Sequence, residues 1–114
     1  MTCLTIIRDG NGLRGFEAQG HAGFAEHGQD IVCSAVSALT QATWLGLEQV
    51  ACARVAAEAD ETAGHMRVLI GEEPGSKPYE AAQVLLETLR LAVTALGRAY
   101  PGHVSLKVRR CNDD

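Results

Sequence analysis

The chain has 114 residues, a formal charge of −4 and 46 % hydrophobic residues, which describes one domain, residues 1–114, with a modest core. The acidic balance excludes a bulk basic footprint for nucleic acid, and only 4 % aromatic residues disfavour a base-stacking platform. No apolar run approaches the ~20 residues that span a bilayer, so no membrane partner is expected.

Residues 2–8, Thr-Cys-Leu-Thr-Ile-Ile-Arg, are β-prone, and Asp9-Gly10-Asn11-Gly12 is a turn signal. From Leu13 to Gly20, Phe16 and Ala18 fall on one face, Glu17 and Gln19 on the other. Residues 2–20 therefore read as a β-hairpin that delivers His21 at the end of its second strand. Residues 22–29 carry two glycines and no hydrophobic period, which predicts a mobile loop. Asp30 is placed to cap a helix that runs from Ile31 to about Val50. Its apolar stripe is Val32, Val36, Leu39, Thr43, Gly46 and Val50. A second set (Ile31, Ala35, Ala38, Ala42 and Leu45) widens the buried face, so this helix is expected to pack between layers.

Ala53–Asp60 and His65–Gly71 read as two strands joined by Glu61-Thr62-Ala63-Gly64. Glu72 to Pro78 is punctuation, and residues 78–98 form a second long helix with the stripe Ala82, Leu85, Leu86, Leu89, Val93, Leu96. Val104–Arg109 closes the chain as a strand. The order ββα-ββα-β predicts an α+β fold, two long helices against a mainly antiparallel sheet. Lys107, Arg109 and Arg110 read as a solvated strand end rather than an RNA contact.

Met1–Ile7 lacks a basic region and a cleavage site, so no secretory signal is expected and the chain is expected in the cytoplasm. Cysteines 3, 33, 52 and 111 form no Cys-x-x-Cys pair, which argues against zinc or a dithiol redox motif. No metal and no cofactor are expected. In a reducing cytosol the four are free thiols.

One stretch concentrates the chemistry. Asp30, Cys33 and Ser37 are spaced i, i+3, i+7, and Thr40, Gln41 and Trp44 continue that side. If Asp30 caps the helix, Cys33 sits at its third position, where free amides and the helix dipole favour a thiolate. The Asp30 charge opposes that thiolate, and an imidazolium at His21 would offset it. Taken alone, Cys33 is either a core thiol or a nucleophile, and His21 either a strand-end hydrogen bonder or a base. Asp30 is first a cap, and Ser37 a helix residue bonded to a carbonyl one turn back. His27, His65 and His103 carry no catalytic signal.

The blocks Gly20-His21-Ala22-Gly23 and Gly28-x-Asp30-Ile31-Val32-Cys33-x-Ala35-Val36-Ser37 resemble the ribosomal-processing cysteine protease family, Prp. The resemblance implies a small cytoplasmic α+β homodimer. It implies a cysteine endopeptidase that removes a short N-terminal extension from large-subunit ribosomal protein number twenty-seven. The family's catalytic histidine falls on His21 and its nucleophile on Cys33, with Asp30 and Ser37 in support. The segment that moves on substrate binding covers Gly20, Ala22, Gly23, Phe24 and Gly28. The partner is then a peptide, with no direct nucleic acid contact. A different class of reading is a non-catalytic ribosome-assembly module. A third, a redox-sensing thiol, needs a resolving cysteine near Cys33.

Overall fold

The computed structural model describes residues 2–20, 27–60 and 62–111, with the backbone alone for 27–30. Its elements are β1 (Thr2–Arg8), β2 (Leu13–Gln19), α1 (His27–Leu45), β3 (Val55–Asp60), β4 (His65–Ile70), α2 (Lys77–Ala99) and β5 (Val104–Arg110). The expected α+β architecture and element order are therefore observed. The five strands form one sheet in the order β3-β4-β2-β1-β5. All neighbours are antiparallel except β1 and β5, which run parallel with Thr2 opposite Val104.

The hairpin forms where its turn residues dictate. Asp9 Oδ1 accepts from the amides of Asn11 at 2.8 Å and Gly12 at 3.1 Å, so the carboxylate closes the turn. The register slips between Ile7 and Arg8, a bulge beside that turn. A clamp from α2 finishes the strand end: Gln83 accepts from the Leu13 amide and donates to the Leu13 carbonyl, at 2.8 and 2.7 Å. A side chain thus replaces a missing strand neighbour.

Both helices lie on one face of the sheet. Leu4, Ile6, Phe16, Ala18, Val68 and Ile70 point to it from the strands and meet Tyr79, Ala82, Leu86, Leu89 and Val93 of α2. The predicted α2 stripe is thus the buried face, except that Leu85 and Leu96 are half-buried. Ser76 caps the helix by accepting from the Tyr79 amide at 3.2 Å, with proline in the first turn. A Cβ on Gly46 would meet Leu85 Cδ1 at 3.2 Å, so Gly46 permits the close approach of the two helical segments.

Two expectations for the first helix need correction, its start and the width of its buried face, while its end near Val50 is as expected. It starts at His27, so Gly28 and Asp30 lie in its first turn rather than in a loop and at a cap. It ends in a π-helical turn, Gly46–Val50, closed by Cys52 at a φ of 56°. Its second apolar set is not buried: Ile31 is 48 % exposed and Leu45 56 %, and Ala38 and Ala42 are exposed as well. Five strands and two helices make only two layers here, so nothing among the described residues covers that side. The third strand begins at Val55 rather than Ala53, and as an edge strand it stays largely exposed.

Candidate active site

Val32 and Val36 anchor α1 against the sheet, at 0 % and 2 % exposure. This orientation turns the next face of the helix along the sheet. There Cys33, Ser37, Thr40, Gln41 and Trp44 form one wall of a cleft of about 680 Å³. The opposite wall comes from Ala18 and Gly20 at the end of β2, from Met66 on β4, and from Ala59 and Asp60 on β3. The polar strip read from the helical spacing is thus a cleft wall, and Cys33 is half-buried in it.

The end of β2 is fastened at the cleft. The Gly20 amide donates to the Gly64 carbonyl at 2.8 Å, and Gly64 adopts a φ of 66° that suits glycine. Gly20, the residue before His21 in the chain, therefore shares the cleft with Cys33. His21, Ala22, Gly23 and Phe24 lie outside the described residues, as does the side chain of Asp30.

Cys33 is the seventh residue of α1, not the third. Its amide is past the four free N–H groups of the helix start, and the dipole acts chiefly on the first turn. Its sulfur instead meets a hydroxyl from the sheet, with Thr2 Oγ1 and Cys33 Sγ 3.1 Å apart. Ser37 is exposed, and its Oγ accepts from Gln41 Nε2 at 3.0 Å. The back-bond expected of Ser37 is made by its neighbours: Thr40 donates to the Val36 carbonyl and Thr43 to the Leu39 carbonyl.

Of the remaining described histidines and cysteines, His65 lines the cleft with Cys33, whereas Cys3 lies on the far face of the sheet. His65 Nε2 contacts Glu17 Oε2 at 2.9 Å, and Glu17 projects from the face of β2 opposite Phe16 and Ala18. Cys3 follows Thr2 on β1 and so points away from the helices, where Ser105 Oγ donates to it at 3.2 Å. The sheet separates Cys3 from Cys33, which removes it as a resolving partner. Among the described residues, no three His, Cys, Asp or Glu side chains cluster to hold a metal, and no helix is long and apolar enough to cross a membrane.

Thr2 carried no signal in the sequence, because a strand threonine 31 positions from Cys33 has no local pattern to mark it. Met66 and Ala59 were visible only as strand residues. Trp44 was legible from its place on the helix, and its buried Nε1 has no hydrogen-bond partner among the described residues.

A half-buried thiol on the wall of a cleft, beside an exposed edge strand, is an arrangement suited to attack on a bound carbonyl. The comparisons agree in kind. A family model described as cysteine protease Prp matches residues 1–105. The chain is 30 % identical over 89 residues to the ribosomal processing cysteine protease Prp of Bacillus subtilis, covering 78 % of this chain and 80 % of that one. The crystal structure of SMU.848 from Streptococcus mutans is 34 % identical with a TM-score of 0.81, covering 96 % of this chain and 95 % of that chain. The essential ribosomal processing protease Prp of Staphylococcus aureus, solved with a substrate peptide, has a TM-score of 0.84 at 20 % identity, covering 95 % and 99 %. At that identity the likeness concerns the fold.

Proposed function

The chain belongs to the cysteine protease Prp family and is a peptide hydrolase, and from that premise we propose that Cys33 is its nucleophile and His21 its general base. The substrate is the N-terminal extension of large-subunit ribosomal protein number twenty-seven, cleaved in the cytoplasm during ribosome maturation. The name of the Bacillus subtilis relative supports the ribosomal part of this reading. The observation that carries the site is that Cys33 and Gly20, the neighbour of His21 in sequence, line the same cleft.

In this reading His21 takes the proton of Cys33, and the thiolate attacks the scissile carbonyl. The imidazolium then protonates the leaving amine, and water hydrolyses the thioester. A well-placed base contributes ~10²–10⁴-fold. Amides of the 22–26 stretch or of the start of α1 hold the oxyanion, Asp30 orients His21, and Ser37 supports the cleft wall near Cys33. Ala22, Gly23 and Phe24, between the fastened Gly20 and Gly28 in the first turn of α1, form the segment that closes over the peptide. The exposed Ile31 and Leu45 support a homodimer, since apolar side chains on one helix side gain by being covered.

The test is cleavage of the tagged extension of the host's own ribosomal protein. Wild type releases the extension, while Cys33→Ala and His21→Ala do not. Cleavage that survives Cys33→Ala removes the assigned nucleophile. Stable ribosome binding without any cleavage would favour a non-catalytic assembly role.

A further inference from the structure

We propose that Thr2 is a positioning residue for the nucleophile: its hydroxyl holds the Cys33 sulfur in the cleft and donates to that sulfur when it ionises. This rests on the reading of Cys33 as the nucleophile.

The contact is close and well supported. Thr2 Oγ1 lies 3.1 Å from Cys33 Sγ, and Thr2 is only 3 % exposed. Its backbone is held on a paired strand, because the Thr2 amide donates to the His103 carbonyl at 3.1 Å and Thr2 stands opposite Val104. A β-branched side chain on such a strand has few rotamers, so the hydroxyl stays where the fold puts it. The first residue of β1 and the seventh residue of α1 thereby meet at the cleft.

A thiolate at this place gains from such a donor, in addition to the His21 imidazolium. Cys33 lies beyond the first turn of α1, so the helix start does little for its charge. Among the described residues, the titratable ones that line the cleft besides Cys33 are Glu48 from the π-helical turn, Asp60 from β3 and His65 from β4. The two carboxylates disfavour a further negative charge. His65 is engaged by Glu17, and His103 approaches from the β5 side through its backbone. A hydroxyl suits both states of the sulfur. It accepts from the thiol S–H, and after His21 removes that proton it turns its own O–H toward the thiolate. The charge-assisted bond is the stronger of the two, so the contact favours ionisation and holds the sulfur in one rotamer.

The experiment follows alkylation of Cys33 by iodoacetamide against pH, with peptide mapping to separate it from the other three cysteines. Thr2→Val keeps the side-chain shape and removes the hydroxyl, while Thr2→Ser keeps the hydroxyl. We expect Thr2→Val to raise the alkylation midpoint by about one pH unit, a roughly tenfold slower reaction below it. Thr2→Ser is expected to stay near wild type. If Thr2→Val fails to fold, Thr2→Ala against Thr2→Ser makes the same comparison. A folded variant without the hydroxyl whose midpoint equals that of wild type overturns the proposal. The titration needs no substrate, so it is separable from the nucleophile assignment. Cleavage that survives Cys33→Ala sinks that assignment, whereas an unmoved midpoint sinks only the role of Thr2.

Discussion

Tyr79→Phe removes an oxygen that the fold buries without compensation. Tyr79 is 3 % exposed in the first turn of α2, and its hydroxyl has no hydrogen-bond partner among the described residues. A buried unsatisfied polar group costs ~1–3 kcal/mol, and the ring that fills the core remains after the change. Allowing for contacts that the oxygen itself makes, the variant should be more stable by about 1 kcal/mol, or about 4 °C in Tm for a domain of this size. The pH dependence adds a second signature. Burial pushes the Tyr79 phenol above its ordinary value of 10.0, and the carboxylate of Asp9 pushes the same way. The folded chain therefore keeps the phenol proton to higher pH than the unfolded chain does. Its contribution is intact below pH 10 and is lost as pH rises toward the folded value. Tyr79→Phe should remove that alkaline decline. Urea unfolding followed by circular dichroism at neutral pH and above pH 10 reads both effects. A loss of 1 kcal/mol or more at neutral pH, with the alkaline slope unchanged, would refute the reasoning, since the hydroxyl would then have a partner.

Two further changes probe the backbone. A Cβ on Gly15 would run into the Val68 carbonyl and the Leu69 backbone across the β2–β4 pairing. Gly15→Ala should therefore cost about 3 kcal/mol in denaturant unfolding, and a variant of wild-type stability would contradict the strand register. Cys52 closes the π-helical turn at a φ of 56°, a conformation that costs a side chain ~1–2 kcal/mol. Cys52→Gly should raise stability by about 1 kcal/mol in the same measurement, and a loss would mean the thiol contributes more than its backbone costs.

What the chain reveals to a reader depends on the range of the interaction. The hairpin turn was legible because Asp9 and Gly12 act on their own neighbours. The second helix was legible because Pro78 and the Leu86–Leu89–Val93 stripe are local signals. The polar strip from Cys33 to Trp44 followed from helical spacing alone, and it lines the cleft. Pairings across the chain left no such mark. The Gln83 clamp on Leu13 spans 70 positions, and the Thr2–Cys33 contact spans 31. The width of the buried face of α1 was misjudged for a related reason. Ile31, Ala38, Ala42 and Leu45 are apolar, but burial depends on whether another layer exists to cover them. The start of α1 was misplaced because Gly28 and Asp30 suit a loop and a cap as well as a first helical turn.

The most direct measurement is the intact mass of the full chain, quenched during turnover of the extension peptide. A thiol nucleophile predicts a transient adduct equal to the N-terminal fragment less one water, and peptide mapping should place it on Cys33. Cleavage that proceeds with the adduct on another cysteine would contradict the account.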